Sequence, residues 1–173
     1  MSKQTFRAYR VYENPDGGIT RRVEERSTDD LPDNDVLVRV AYSALNYKDG
    51  LSASGHKGIT RQYPHTPGID SAGVVVEDRS GRFEPGTEVI VAGFDLGMNT
   101  DGGFGEYIRV PAEWVMLLPT GISLRESMVY GATGFTAALS VHRLLAAGQE
   151  PDQGSILVTG AAGGVGSMAV LIL

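Results

Sequence analysis

Along the first two-thirds of the chain, apolar and polar residues alternate in short runs, and glycine and proline separate one run from the next. Residues 5–11 and 19–24 flank Asn14-Pro15-Asp16-Gly17-Gly18, whose proline and glycines suit a tight turn, and this predicts a β-hairpin. Residues 35–41 alternate weakly and are β-branched, with Leu31-Pro32-Asp33-Asn34 as the preceding turn. Segments 72–77, 88–92, 106–110 and 115–118 continue the pattern. Short strands with this punctuation predict an irregular barrel or sandwich.

The periodicity changes near Pro119-Thr120-Gly121. Ser123-Leu124-Arg125-Glu126 is a capping box, in which hydroxyl and carboxylate each satisfy an orphan amide at a helix start. From residue 135 to 147 apolar residues recur at helical spacing (Phe135, Leu139, His142, Leu145, Ala146), and Gly148 stands where a C-terminal cap belongs. Residues 154–160 read as a buried strand, and a new helix follows from Val165. These changes predict a domain boundary near residue 122. The second domain then holds a helix, a strand, a glycine turn and about two turns of helix. That is unfinished, since a βαβ unit alone needs ~30 residues.

Composition narrows the chemistry. The 173 residues carry 15 Lys+Arg against 21 Asp+Glu, a formal charge of −6, with no basic run, which argues against nucleic acid or anionic lipid as partner. With no cysteine there is no disulfide, no thiolate zinc site and no cysteine nucleophile. The first residues lack the apolar core of a signal peptide, and the longest purely apolar run, from Met168 to Leu173, is far below the ~20 residues of a membrane helix. A cytoplasmic protein is expected. His56, His65 and His142 are too scattered to form a metal site, and Gly164-Val165-Gly166-Ser167 lacks the G-x-S-x-G elbow of a hydrolase.

The sharpest motif is Val158-Thr159-Gly160-Ala161-Ala162-Gly163-Gly164-Val165-Gly166-Ser167, a G-x-x-G-x-x-G turn between an apolar strand and an apolar helix. A strand that bends sharply into a helix aims free backbone N–H groups and the positive helix end at one spot. Side chains larger than methyl would keep a pyrophosphate from those amides, which accounts for Ala161 and Ala162 as well. The third glycine permits close helix–strand packing. The spacing predicts dinucleotide binding; the side chain that chooses NAD or NADP would lie ~20 residues further on. A second constellation, Ser43-Ala44-Leu45-Asn46-Tyr47-Lys48-Asp49-Gly50-Leu51, follows a strand. Asn46, Tyr47 and Asp49 could line a cleft, or form a capped short helix with Asn46 as cap and Asp49 feeding the first-turn amides. Spacing leaves both readings open. In His65-Thr66-Pro67-Gly68-Ile69-Asp70-Ser71-Ala72-Gly73, Asp70 is a structural hydrogen-bond hub or a site carboxylate, and the hub is favoured. Thr100-Asp101-Gly102-Gly103-Phe104-Gly105-Glu106-Tyr107 reads as a loop between strands.

Taken in order with Gly134-Phe135-Thr136-Ala137, these stretches resemble the medium-chain dehydrogenase/reductase superfamily in its zinc-free quinone-oxidoreductase branch, most of all the acrylyl-CoA reductases. The resemblance implies a mixed α and β chain: a GroES-like irregular β-barrel catalytic domain over 1–122, then the incomplete beginning of a Rossmann NADP-binding domain over 123–173. In zinc-dependent relatives cysteine, histidine and glutamate would align with Asn46, Ile69 and Asp70, so no metal is expected. The resemblance carries Tyr47 over as a nicotinamide-side contact with Asn46 beside it, and Asp49 with them as the catalytic group. Ala162, Gly163, Gly164, Val165 and Gly166 would hold the pyrophosphate of NADPH. Thr133 is a further candidate contact, although Gly131-Ala132-Thr133-Gly134 departs from the usual Gly-Thr-Ala-Gly.

The implied reaction is NADPH-dependent reduction of the activated C=C bond of acryloyl-CoA, with a quinone or enone acceptor as the alternative. The partners are small molecules, not nucleic acid or membrane, and a homodimer is left open. A third reading makes the 173-residue chain itself inactive, because it ends inside the first Rossmann helix and leaves the apolar face of Val158, Val165, Ala169 and Ile172 uncovered. By family analogy the natural protein is expected to be roughly twice as long.

Overall fold

The alternating segments pair as their polarity requires. In the computed structural model, which describes residues 4–173, β1 (Thr5–Glu13) and β2 (Ile19–Ser27) form the expected antiparallel hairpin, with Thr5 opposite Ser27 and Glu13 opposite Ile19. Five further strands, β3 (Val36–Tyr42), β4 (Asp70–Asp78), β5 (Glu88–Ala92), β6 (Tyr107–Val110) and β7 (Val115–Leu117), make one antiparallel sheet in the order β6-β3-β4-β5-β7. Side chains two apart share a face of a strand, so Val36 and Val38, Val89 and Val91, and Ile108 and Val110 enter one core with Val75 and Leu96. A second cluster, of Phe6, Ala8, Leu31 and Leu37, packs under the hairpin. Single bridges, Ala8 with Gly105 and Val11 with His65, tie β1 to the loops that flank the sheet.

An ionic cluster reinforces that attachment. Arg10 Nη1 donates to Asp101 Oδ1 at 2.7 Å and to Thr66 Oγ1 at 3.2 Å, and Arg26 Nη1 donates to Asp101 Oδ2 at 2.5 Å. The Thr66 amide completes the carboxylate's shell at 2.9 Å. All three charged side chains are nearly buried, so each compensates the desolvation of the others.

The chain divides into two compact units, one through Met128 and the other Val129–Leu173. In the first, the short helix α1 (Tyr47–Ala53) lies between β3 and β4 in sequence. Helix α2 (Leu124–Ala146) starts with the expected capping box: Ser123 N–H donates to Glu126 Oε2 at 2.8 Å, and Glu126 N–H to Ser123 Oγ at 3.2 Å. Its backbone leaves helical geometry at Gly131 (φ 48°, ψ −155°), and Gly148 turns left-handed (φ 90°) just past its end.

The helix expected from the spacing of Phe135, Leu139 and Leu145 forms; those three side chains are exposed, and Ala137 and Val141, one turn apart, are buried. One expectation for the second unit needs correction. Residues 154–160 run without a ladder and form no strand, and Leu157 is 88% exposed. A strand exists only through a neighbour that takes its alternate amides and carbonyls, and among the described residues none pairs with this segment. The helix after the glycine turn, α3 (Gly164–Ile172), forms as expected.

Candidate functional site

Helix α1 is assembled around one carboxylate. Asp49, third residue of the helix and only 2% exposed, accepts from the Asn46 amide at 2.7 Å, the Ile69 amide at 3.0 Å and the Gly68 amide at 3.2 Å. It thus closes the helix start and pins the Pro67-Gly68-Ile69 turn to it. Gly68 is required there: its φ is 112°, and a Cβ would lie 2.7 Å from the amide nitrogens of Gly103 and Phe104. Those amides are engaged, Gly103 N–H donating to Gly68 O and Phe104 N–H to Pro67 O, so the glycine-rich loop of residues 100–107 is strapped to the same turn.

Asp70, fully buried at the start of β4, accepts from Asn46 Nδ2 at 2.9 Å, and its main-chain oxygen accepts from Ser43 Oγ at 2.6 Å. A carboxylate can only accept, which fixes the nitrogen end of the Asn46 amide toward it. Burial pushes the Asp49 carboxyl above its ordinary value, and the nearby Asp70 charge adds to this against the three amide donors. Tyr47, the first residue of α1, is 83% exposed directly beside this buried assembly. The structure therefore brings Asn46, Tyr47 and Asp49 together with Asp70. The structure shows the capped helix: Asp49 faces inward onto backbone amides, and Tyr47 faces solvent.

The second unit places the glycine turn as follows. Gly160 turns left-handed (φ 64°), the Gly163 amide donates back to Gly160 O at 2.9 Å, and the first bond inside α3 is Ser167 N–H to Gly163 O. Among the described residues, the amides of Gly164, Val165 and Gly166 make no such bond, and the N-cap Gly163 has no side chain to cap them. These three donors stand at the positive end of a nine-residue helix beside exposed Ala161, Ala162 and Gly163. A Cβ at Gly166 would come within 2.2 Å of Gly160 O, so the close approach inferred from the third glycine is present. Thr133 lies against this turn, its methyl 3.1 Å from where a Gly164 Cβ would be, while its hydroxyl donates to Tyr130 O. The donor set, small side chains and helix polarity fit the diphosphate of a dinucleotide.

Sequence reasoning did not find the Arg10–Asp101–Arg26 cluster, nor Ser43 as a support of Asp70. Arg10 and Asp101 stand 91 positions apart, beyond any local pattern. His65 belongs to the same neighbourhood: it is 2% exposed, with Nδ1 3.7 Å from Asp101, and burial pushes its pKa below the ordinary imidazole value. Among the described residues no three His, Cys, Asp or Glu side chains gather into a metal-binding group, and no helix is long and apolar enough to cross a membrane.

Comparison with known proteins gives concordant results. The alcohol dehydrogenase GroES-like domain model matches residues 32–120. The acrylyl-CoA reductase AcuI of Ruegeria pomeroyi is 44% identical over 169 residues, which is 97% of this chain and 51% of that protein. The crystal structure of Bacillus subtilis YhfP with NAD bound superposes with a TM-score of 0.93 at 50% identity, over 96% of this chain and 50% of that one. The Salmonella enterica yhdH oxidoreductase in complex with NADP gives 0.91 at 44% identity, over 95% and 50%. The chain spans about half the length of the relatives it matches.

Proposed function

The chain belongs to the alcohol dehydrogenase GroES-like family, within the medium-chain dehydrogenase/reductase superfamily, and from that premise we propose that the intact protein is an NADPH-dependent, zinc-free reductase of the activated C=C bond of an acryloyl-CoA-type thioester. The observation that carries the reading is the set of donors at Gly164, Val165 and Gly166, flanked by residues no larger than alanine. The second support is the likeness to AcuI and to a yhdH structure holding NADP. Residues 123–173 are read as the first part of the Rossmann domain.

The amides of Gly164, Val165 and Gly166 would hold NADPH, which would supply hydride chemistry for the β-carbon of the enoyl thioester. The rest is the work of the chain. The amides of α3, with Thr133 against the turn, hold and orient the diphosphate. Tyr47 offers an exposed ring as a contact on the nicotinamide side, with Asn46 beside it. Charge develops on the thioester oxygen as the C=C electrons move toward it, and hydrogen-bond donors stabilise that oxyanion in place of a metal. Side-chain N–H of Asn46 and the Tyr47 phenol are the donors available at the helix start. The α-carbon then takes a proton from solvent, which balances the reduction. Asp49, turned onto three amides, acts as a positioning residue. The protein works in the cytoplasm on small molecules.

The test is a comparison in the intact protein of NADPH oxidation with acryloyl-CoA and with a quinone, repeated with NADH. Faster turnover of acryloyl-CoA with NADPH is expected, and a preference for the quinone transfers the assignment to that acceptor. Tyr47→Ala should lower turnover by more than about tenfold; unchanged kinetics would remove Tyr47 from the site.

A further inference from the structure

Residue 46 is gripped from two sides by buried acids. Its main-chain N–H donates to Asp49 Oδ2 at 2.7 Å, and its side-chain Nδ2 donates to Asp70 Oδ2 at 2.9 Å. The acids come from different elements, Asp49 from α1 and Asp70 from the first position of β4, 24 residues beyond Asn46. Asp70 is itself immobilised: it is fully buried, its carbonyl accepts from Ser43 Oγ, and β4 runs centrally between β3 and β5. Asp49 alone would suffice to start the helix, since it already takes the N-cap amide. The Asp70 contact adds the orientation of the Asn46 side chain and ties the loop of residues 43–46 to the sheet.

We infer that Asp70 is a positioning residue that acts through Asn46: its carboxylate sets the rotation of the Asn46 amide and locks the Asn46–Tyr47 backbone, so that both side chains meet the ligand in one arrangement. This rests on the function proposed above. Hydrogen bonds to a charged acceptor are among the stronger ones, and an amide donating to a carboxylate cannot flip without placing oxygen against oxygen. Catalytic geometry is sensitive to displacements near 1 Å, which commonly cost ~100-fold in rate. Losing the acceptor should therefore register in kcat, whereas contacts that hold the dinucleotide at the glycine turn should register in its Kd.

The test is a double-mutant cycle in the intact protein, with NADPH affinity followed separately by the cofactor's own fluorescence. Asp70→Ala should lower kcat by about ten- to hundredfold while the NADPH Kd moves less than threefold. In an Asn46→Ala background the same change should cost less than twofold, because the residue it acts through is gone. Asp70→Asn, whose Oδ1 can still accept from Asn46 Nδ2, should recover kcat to within about threefold of the parent. If Asp70→Ala does not fold, Asn46→Ala and Asp70→Asn still decide the matter. The inference requires the first to lose kcat by at least tenfold and the second to retain it. An Asp70 effect that persists undiminished without Asn46, or no rescue by Asn, overturns the inference and leaves the proposed reaction standing. No NADPH-dependent turnover by the parent protein on either acceptor overturns both.

Discussion

Two single-methyl changes at the glycine turn separate packing from ligand contact. At Gly166 an added Cβ would stand 2.2 Å from Gly160 O, 2.7 Å from Gly160 C and 2.8 Å from Ala161 Cα, all backbone atoms that no rotamer change can move aside. An ordinary contact needs at least about 3.4 Å, so α3 and the turn must separate by roughly 1 Å. Overpacking of this kind costs ~1–3 kcal/mol, partly offset by the ~1 kcal/mol that alanine gains over glycine inside a helix. At Gly163 the position is different. Its φ of −85° and ψ of 169° suit any residue, and its Cβ would meet only Gly160 O, at 3.3 Å. Gly163→Ala should leave the fold almost untouched and place a methyl beside the three amides.

The assay is NADPH titration of the intact protein by fluorescence, with Tm measured on each variant. Gly166→Ala should weaken binding by about 30- to 100-fold through the displaced amides. Gly163→Ala should weaken it by about tenfold or more with Tm within ~2 °C of the parent, since it acts by bulk alone. If both variants bind NADPH within threefold of the parent, the amides of Gly164, Val165 and Gly166 do not hold the diphosphate, and the cofactor assignment fails with them.

Three further outcomes follow from the same geometry. Asp101→Asn leaves Arg10 and Arg26 without their shared anion in a nearly buried setting, and should cost about 2–4 kcal/mol in urea unfolding; a loss below ~1 kcal/mol would show the cluster to be screened. His65 resists protonation when folded, so stability should fall as pH drops below the unfolded imidazole value of ~6.5 and level off below the folded one, at no more than ~1.4 kcal/mol per pH unit. Asp49, with its pKa raised, works in the opposite sense at lower pH, and a His65→Gln variant that kept the parent's slope between pH 6.5 and 5 would refute the assignment. The 173-residue chain by itself, with Leu157, Val170 and Leu171 more than half exposed, should bind NADPH weakly and self-associate on gel filtration; tight saturable binding by a monomer would contradict this.

Local chemistry was legible in the sequence wherever it acts over a few residues. The hairpin around Asn14–Gly18, the Ser123–Glu126 capping box, the Gly148 terminus and the bend at Gly160 each depend on a residue type at a fixed short spacing, and each stands where that spacing put it. The strand expected over residues 154–160 failed because strand formation belongs to a pair of segments, and apolar character alone supplies no partner. The spacing of Phe135 and Leu139 predicted the helix that forms, but helical periodicity names a face without what covers it, and both side chains are exposed. Asp70 stood in the sequence as hub or site carboxylate. Its bond to Asn46 crosses 24 residues and depends on how β3, α1 and β4 come together, which no motif encodes.

The cost of this arrangement explains its form. Burying two carboxylates close together is unfavourable unless each is hydrogen-bonded, and Asp49 alone collects three main-chain donors. A helix seven residues long does not need so much to begin, and a neutral cap would do it at less desolvation cost. What the two acids add is a fixed backbone at Asn46, next to a tyrosine that is 83% exposed and so has little packing of its own to hold it. Fixing a residue in advance removes ~1–2 kcal/mol of ordering that a ligand would otherwise have to overcome on arrival. An exposed aromatic ring on a rigid, acid-clamped helix start is therefore better suited to meeting a ligand than to stabilising the fold. By this reasoning Tyr47→Ala should leave Tm nearly unchanged while lowering turnover, the opposite of what Asp101→Asn should do.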